Sequence, residues 1–322
     1  MNLGEQSIKL KINPPIYLRS YKAKKLIDKF ETQFAYGHRE ILLKYSNLNE
    51  TVLLTGILQH GVGPTFTLYS DWPTPRVNFF RRSPLWVYSR VAAKELASKG
   101  VQNVSAIGSP WLYSKILDSY ELSNDKNKIK YLVFPRHYSS SDSDNTFERT
   151  YNQINYWLSI AGSADLEICL HWSQFEDLIW QTVAHREGVT LKCAGKPNSP
   201  LVWSQSDSRI HFYRNLREII GSATHCIFES FTSAIFYACD LGKSVGFFPA
   251  DSKIKFEATP STLEEELSWL AKNIPGIFNN CEENSTLIAL SRELLGYEDM
   301  LSPISLSEVL SFQSGIIPKS FI

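Results

Sequence analysis

The chain has 322 residues, 43% hydrophobic, 20% charged and 13% aromatic, which excludes a disordered or low-complexity protein. Its formal charge is zero, but residues 1–130 hold 19 Lys and Arg against 10 Asp and Glu, while the remainder hold 14 against 23. No nucleic-acid reader motif accompanies the basic half, so nucleic acid is not an expected partner.

In chain order, residues 1–20 read as irregular, with Pro14-Pro15 blocking a helix, and 21–34 as a basic helix carrying Lys22, Lys24, Lys25 and Lys29. A strand over 51–58 leads into a loop at 59–64, Gln59-His60-Gly61 at its start. A strand over 85–89, a helix over 90–99 closed by Gly100, and a strand over 104–107 follow. Gly108-Ser109-Pro110 then opens a helix over 111–122, and 123–128 is polar enough to be a linker. The alternation restarts with strands at 131–134, 166–170 and 190–193 and helices near 147–161, 174–187 and 211–220. Residues 225–228 and 244–248 are short apolar runs suited to buried strands, flanking a helix over 232–241 that Gly242 ends. An acidic-start helix spans 262–273, and the last fifty residues read as mainly helical. Strand and helix alternating in this way give a parallel sheet covered on both faces, here twice.

The polar turns that follow the strands stand out. They are Gln59-His60-Gly61, Gly108-Ser109-Pro110, Pro135-Arg136-His137, His171-Trp172 and Glu229–Ser233. Ligands of doubly wound sheets bind at such strand ends. The 229–233 turn offers Ser230, Thr232 and Ser233 at a helix start. These hydroxyls either cap the helix or, with its unpaired N–H groups, receive a phosphate. The basic run at 9–29 is either a solvated helix face or a surface that meets an anionic acceptor or the inner membrane. The five cysteines are odd in number, widely spaced and without zinc-ligand spacing, which suits buried reduced thiols. No signal peptide is legible, and no apolar run approaches the length of about 20 residues that spans a bilayer. The expected location is the cytoplasm, with at most peripheral contact with the inner membrane.

The ordered set QHG, WVYSRVAAKELASKG, IGSPWL, FPRH and FESFTSAIFYACDLGKSVGFF, over about residues 51–250, resembles bacterial glycosyltransferases of the GT-B type. The likeness is to those of capsule, lipopolysaccharide O-antigen and teichoic-acid assembly. It departs from them in Thr232-Ser233 where the family favours a serine pair, in Arg136 between Pro135 and His137, and in Ser244 after Lys243 where many relatives have proline. The resemblance implies an α/β, GT-B-like fold: two Rossmann-like domains facing across a cleft, with C-terminal helices crossing back. Its boundaries would be an acceptor-side domain at 1–125, a donor-binding domain at 126–290 and a returning helical segment at 291–322. It implies a metal-independent transferase that takes a nucleotide-activated sugar as substrate, needs no further cofactor and acts on a glycan or lipid-linked acceptor. The alternatives are a polyol-phosphate transferase on the same scaffold and a non-catalytic binding protein.

Such chemistry needs the leaving phosphate stabilised, the donor held and the acceptor hydroxyl deprotonated. Arg136 and His137 suit the phosphate, a guanidinium forking onto its oxygens and an imidazolium adding charge. Surface ion pairing is the alternative for Arg136. Ser230, Thr232 and Ser233 would share that phosphate, and Glu229 resembles the family's ribose-binding acid, unless it is a cap or faces solvent. His60, in a loop kept open by Gly61 and Gly63, is the candidate base, against the alternative of a buried histidine bonded to backbone. Asp71, in an aromatic, proline-rich loop, is the second candidate base, and His171 a weaker cleft residue. No DxD motif implies a metal.

Overall fold

The computed structural model describes residues 35–49, 56–59, 61–62, 84–118, 129–136, 147–162, 164–195, 206–248, 268–278 and 284–313, with Val52, Leu54 and Cys281. Several expectations lie outside the described residues: the irregular start, the basic helix at 21–34, the linker at 123–128 and the first half of the helix at 262–273.

Helix boundaries follow local chemistry. Helix α1 is His38–Tyr45. Strands β1 (Ile57–Leu58) and β2 (Leu85–Val87) precede α2 (Arg90–Ser98), which Ser89 caps by accepting the Ala92 N–H at 3.3 Å. After β3 (Val104–Ala106), α3 (Pro110–Leu117) starts one residue earlier than expected. Proline is suited to the first helical position, and Ser109 caps it. The second set is β4 (Lys130–Phe134), α4 (Phe147–Ala161), β5 (Asp165–Cys169), α5 (Trp172–Phe175), α6 (Leu178–Glu187) and β6 (Thr190–Lys192). It continues with α7 (Ser206–Gly221), β7 (His225–Phe228), α8 (Ala234–Asp240) and β8 (Ser244–Phe247). The helix expected over 174–187 is broken in two because Asp177 turns out of it to cap α6, accepting the Ile179 N–H at 2.8 Å. Of the strand expected over 51–58, Ile57–Leu58 is the part assigned among the described residues. Helices α9 (Ser285–Leu295) and α10 (Pro303–Gln313) end the described chain.

Among the described residues all strand pairs are parallel. The first sheet runs β1-β2-β3, and the second runs β6-β5-β4-β7-β8. The architecture is α/β, with one three-stranded and one five-stranded parallel sheet among the described residues. In the second sheet alternate residues serve opposite faces. Val133, Ile168 and Ile227 pack under Trp157 and Trp180 of α4 and α6. Leu132, Phe134, Cys226 and Phe228 face the other way, into a cluster that contains Ile41, Trp86, Tyr88 and Trp111 of the first half. One apolar core therefore runs through both halves.

The C-terminal helices cross back to the first half. The Ser109 N–H donates to the Leu295 carbonyl at 2.9 Å, and the Leu301 N–H donates to the Tyr113 hydroxyl at 2.9 Å. Arg90 donates to Asp299 from both its backbone N–H and Nε, each at 2.7 Å. At Gly296 (φ 74°) a Cβ would stand 1.9 Å from the Tyr88 carbonyl oxygen, so only glycine lets the chain pass there.

Asp240, at the end of α8, joins all three parts. Its carboxylate accepts the Trp111 indole N–H at 2.7 Å, the Lys115 ammonium at 2.8 Å and the Tyr297 hydroxyl. Its side chain is 3% exposed. Asp240→Ala strands three donors around a buried hole and should cost about 2–4 kcal/mol in urea unfolding, whereas Asp240→Asn keeps an acceptor oxygen and should cost less. Equal losses in the two variants would mean that the hydrogen bonds are not what Asp240 contributes.

Candidate functional site

From β4 the chain steps outward through β5 to β6, then returns to the other side of β4 as β7. The switch in direction lies between β4 and β7, where the exit loops diverge and leave a crevice. A cavity of about 420 Å3 occupies that crevice, within the size range of small-molecule sites. The second half contributes the exits of four strands: Phe134-Pro135, Cys169–Trp172, Ala194-Gly195 and Ser230–Ala234. The first half closes it with Tyr36, His38, Gly61 and Val62.

Two hydrogen bonds between the halves lie in the cavity wall. The Val62 N–H donates to Ser233 Oγ at 2.7 Å. Gly61 makes room for this: its φ is 80°, and a Cβ there would stand 2.9 Å from Ser233 Oγ. Gln59 holds the turn from within. Its amide donates to the Gly61 carbonyl at 2.8 Å and its Oε1 accepts the Tyr88 N–H at 2.9 Å. The second contact is His38 Nε2 with the Tyr213 hydroxyl, 2.7 Å apart. Tyr213 in turn lies 3.3 Å from the Tyr237 hydroxyl. Burial pushes both phenols well above their ordinary pKa, so they stay protonated at neutral pH.

The wall around these contacts is aromatic and short of fixed charge. Tyr36 packs on Phe212 with centroids 4.3 Å apart, and His171 on Trp172 at 5.3 Å. His171 Nδ1 lies 2.8 Å from Ser173 Oγ and caps α5 by accepting the Ser173 N–H. Cys169 lines the cavity, but burial pushes its thiol up to about 12, which makes it a poor nucleophile at neutral pH. Among the described residues no Lys, Arg, Asp or Glu lines the cavity, and no His, Cys, Asp and Glu cluster could hold a metal.

The structure brings Ser230, Thr232, Ser233 and His171 together in the wall. Thr232 and Ser233 precede α8 rather than opening it, because the helix is only Ala234–Asp240. Arg136 is half-buried and follows Phe134 and Pro135, which line the cavity. Glu229 is turned inward, behind the wall: it is 4% exposed, and Oε2 accepts the Arg136 N–H at 3.2 Å and the Gln153 side-chain amide at 2.6 Å. His60, Asp71 and His137 lie outside the described residues. Sequence reasoning missed His38, Tyr213 and Tyr237. The two tyrosines sit at buried positions of α7 and α8, where the apolar pattern reads them as core. The only signal was that a buried phenol needs a partner.

No protein-family model matches the chain, and no curated protein matches it in sequence. Among solved structures it is similar to S. aureus MnaA with UDP, at 14% identity and a TM-score of 0.38, over 92% of this chain and 77% of that one. It is similar to UDP-GlcNAc 2-epimerase from Neisseria meningitidis bound to UDP-GlcNAc, at 13% identity and a TM-score of 0.37, over 83% and 69%. It is also similar to TarM, at 13% identity and a TM-score of 0.31, over 86% of this chain and 49% of TarM.

Burial raises the Glu229 pKa from 4.5 to about 7, against the opposing pull of the Arg136 N–H, the Gln153 amide and the Arg149 charge. The folded state thus holds the proton more tightly than the unfolded chain. The resulting stabilisation is complete below about 4.5 and is lost as the pH rises through about 7. Its size is about 3 kcal/mol. The stability difference between wild type and Glu229→Gln should therefore shift in favour of the variant by that amount between acidic and alkaline pH. A difference that does not vary with pH would contradict this.

Proposed function

We propose that this chain is an enzyme of nucleotide-sugar chemistry, specifically a GT-B-type glycosyltransferase that moves a sugar to a growing bacterial surface glycan. The observation that carries the reading is the cavity at the β4–β7 switch point, roofed by the first half and lined by hydroxyls, imidazoles and aromatic rings. Such a lining suits a ligand with many hydroxyls and a flat ring. Crevices at the carboxyl ends of parallel strands are where nucleotides bind in doubly wound sheets.

In this reading the nucleotide diphosphate lies against Ser230, Thr232 and Ser233, and Arg136 and His137, which follow β4 in the chain, would supply cationic groups for it. Hydroxyl donors and cationic side chains aimed at the leaving phosphate would stabilise the charge that develops there. Glu229 acts from behind the wall rather than on the ribose. The acceptor is deprotonated from the first-half side by His60, or by Asp71 if His60 is not the base. The residues flanking His60 support that assignment, because Gln59 fixes the turn and Gly61 lines the cavity. Lys22, Lys24 and Lys25 would draw the chain to an anionic acceptor or the inner-membrane surface, an attraction that salt should weaken.

Titration calorimetry with UDP, GDP and CMP tests the reading, and one of the three should bind. Ser230→Ala with Thr232→Ala should weaken that binding by about 1–3 kcal/mol, the scale of two lost hydrogen bonds to a charged group. This pair leaves the Ser233–Val62 contact intact. Unchanged affinity in the folded double variant would put the nucleotide elsewhere, and no binding of any nucleotide would favour a non-catalytic binding protein. Product analysis with activated sugar against activated glycerol or ribitol separates glycosyl from polyol-phosphate transfer.

A further inference from the structure

The exits of β4 and β7 are the two sides of the crevice, and Glu229 fixes one against the other. Its own N–H donates to the Phe134 carbonyl at 3.2 Å, and its carboxylate accepts the Arg136 N–H at 3.2 Å. The residue is thus stitched to β4 on both sides of Pro135, and Pro135 and the following Ser230 both line the cavity. Gln153 of α4 donates to the same oxygen, Oε2, at 2.6 Å.

We propose that Glu229 is a positioning residue whose protonation sets the β4 exit against the β7 exit and so tunes the cavity for an anionic ligand. The Arg136 N–H and the Gln153 amide both donate to Oε2 and favour the ionised acid, while burial favours the protonated one, so the two forms are closely balanced. Ionisation shortens and strengthens both hydrogen bonds, which draws the Arg136 backbone inward. It also places a negative charge one residue from Ser230. Two elements besides its own act on Glu229, one by charge and one by a backbone hydrogen bond. Arg149 on α4 acts by its charge, and Arg136 at the β4 exit meets it through the backbone N–H. Burial outweighs them and brings the titration to about 7, so both forms are populated near neutral pH. Glu229→Gln keeps an acceptor oxygen without the charge and reproduces the protonated acid.

The inference rests on the nucleotide reading only for the sign of its effect on affinity, and the test separates the two. In an amide-resolved NMR titration of the full chain, the Arg136 amide resonance of wild type should move with a midpoint near 7. In Glu229→Gln it should stay at the wild-type acidic position. Gln153→Leu, which removes one bond to the carboxylate, should raise the midpoint and serves if the glutamine variant does not fold. Calorimetry with UDP should then show the ratio of dissociation constants, wild type over Glu229→Gln, rising about three- to tenfold from acidic to alkaline pH. The ratio cancels the titration of UDP itself. An Arg136 amide that does not move with pH in wild type overturns the positioning role. A constant ratio beside a titrating amide overturns the link to the cavity. Failure of UDP to bind counts against the nucleotide reading, while the NMR arm, which needs no ligand, still decides the role of Glu229.

Discussion

Trp111 is where the two halves of this chain meet, and burying it imposes conditions that the surrounding residues meet. The indole is fully buried and lies flat on Tyr237 at 4.3 Å, with the edge of Tyr213 at 5.6 Å. The Arg217 guanidinium stands over its ring at 5.7 Å. A buried indole N–H needs an acceptor, and Asp240 supplies it; a buried carboxylate needs a counter-charge, and Lys115 supplies that. Arg217 is held in turn by Ser114 at 2.6 Å and Asp118 at 2.8 Å. Trp111, Ser114, Lys115 and Asp118 belong to α3 and its end; Tyr213, Arg217, Tyr237 and Asp240 belong to α7 and α8. The seam is therefore an apolar stack enclosed by satisfied polar groups, which fixes the relative position of the two sheets.

That fixed position is what gives the cavity a roof. Tyr213 and Tyr237 pack on Trp111 with their rings and extend their hydroxyls toward the cavity wall, where Tyr213 meets His38. The same two residues thus serve the core with one end and the site with the other, as amphipathic aromatic side chains can. Because the contact at Val62 and Ser233 lies on the same wall, the first half reaches the site at two places rather than as a distant flap. Preorganisation of this kind reduces the ordering cost of binding.

Most of the second sheet was legible because its strands are short apolar runs bounded by turn residues, and parallel strands buried on both faces give that signal clearly. His225–Phe228 and Ser244–Phe247 fell within a residue of the expected ends. The polar exits were legible for the same reason, and Ser230, Thr232, Ser233 and His171 do line one cavity. Glu229 was misjudged in direction. A side chain one residue past a strand can point to either side, and the sequence does not say that Arg136 N–H and Gln153 wait behind the wall. The break at Asp177 was missed because an acidic residue inside an amphipathic pattern reads as a solvated helix position until its side chain is seen capping. The shared core was illegible altogether, since Trp111 and Tyr237 lie far apart in sequence and pair only through the relative placement of the two sheets.

The central claim is that one cavity, built jointly by both halves at the switch point, takes the nucleotide. Hydrogen–deuterium exchange of the full chain with and without UDP tests it most directly, because it reads every segment of the wall in one measurement. The account predicts that UDP slows exchange together at 61–62, 171–172 and 230–235, with little change on the far face under Trp157 and Trp180. Protection confined to one half, or appearing away from the β4–β7 crevice, would contradict it.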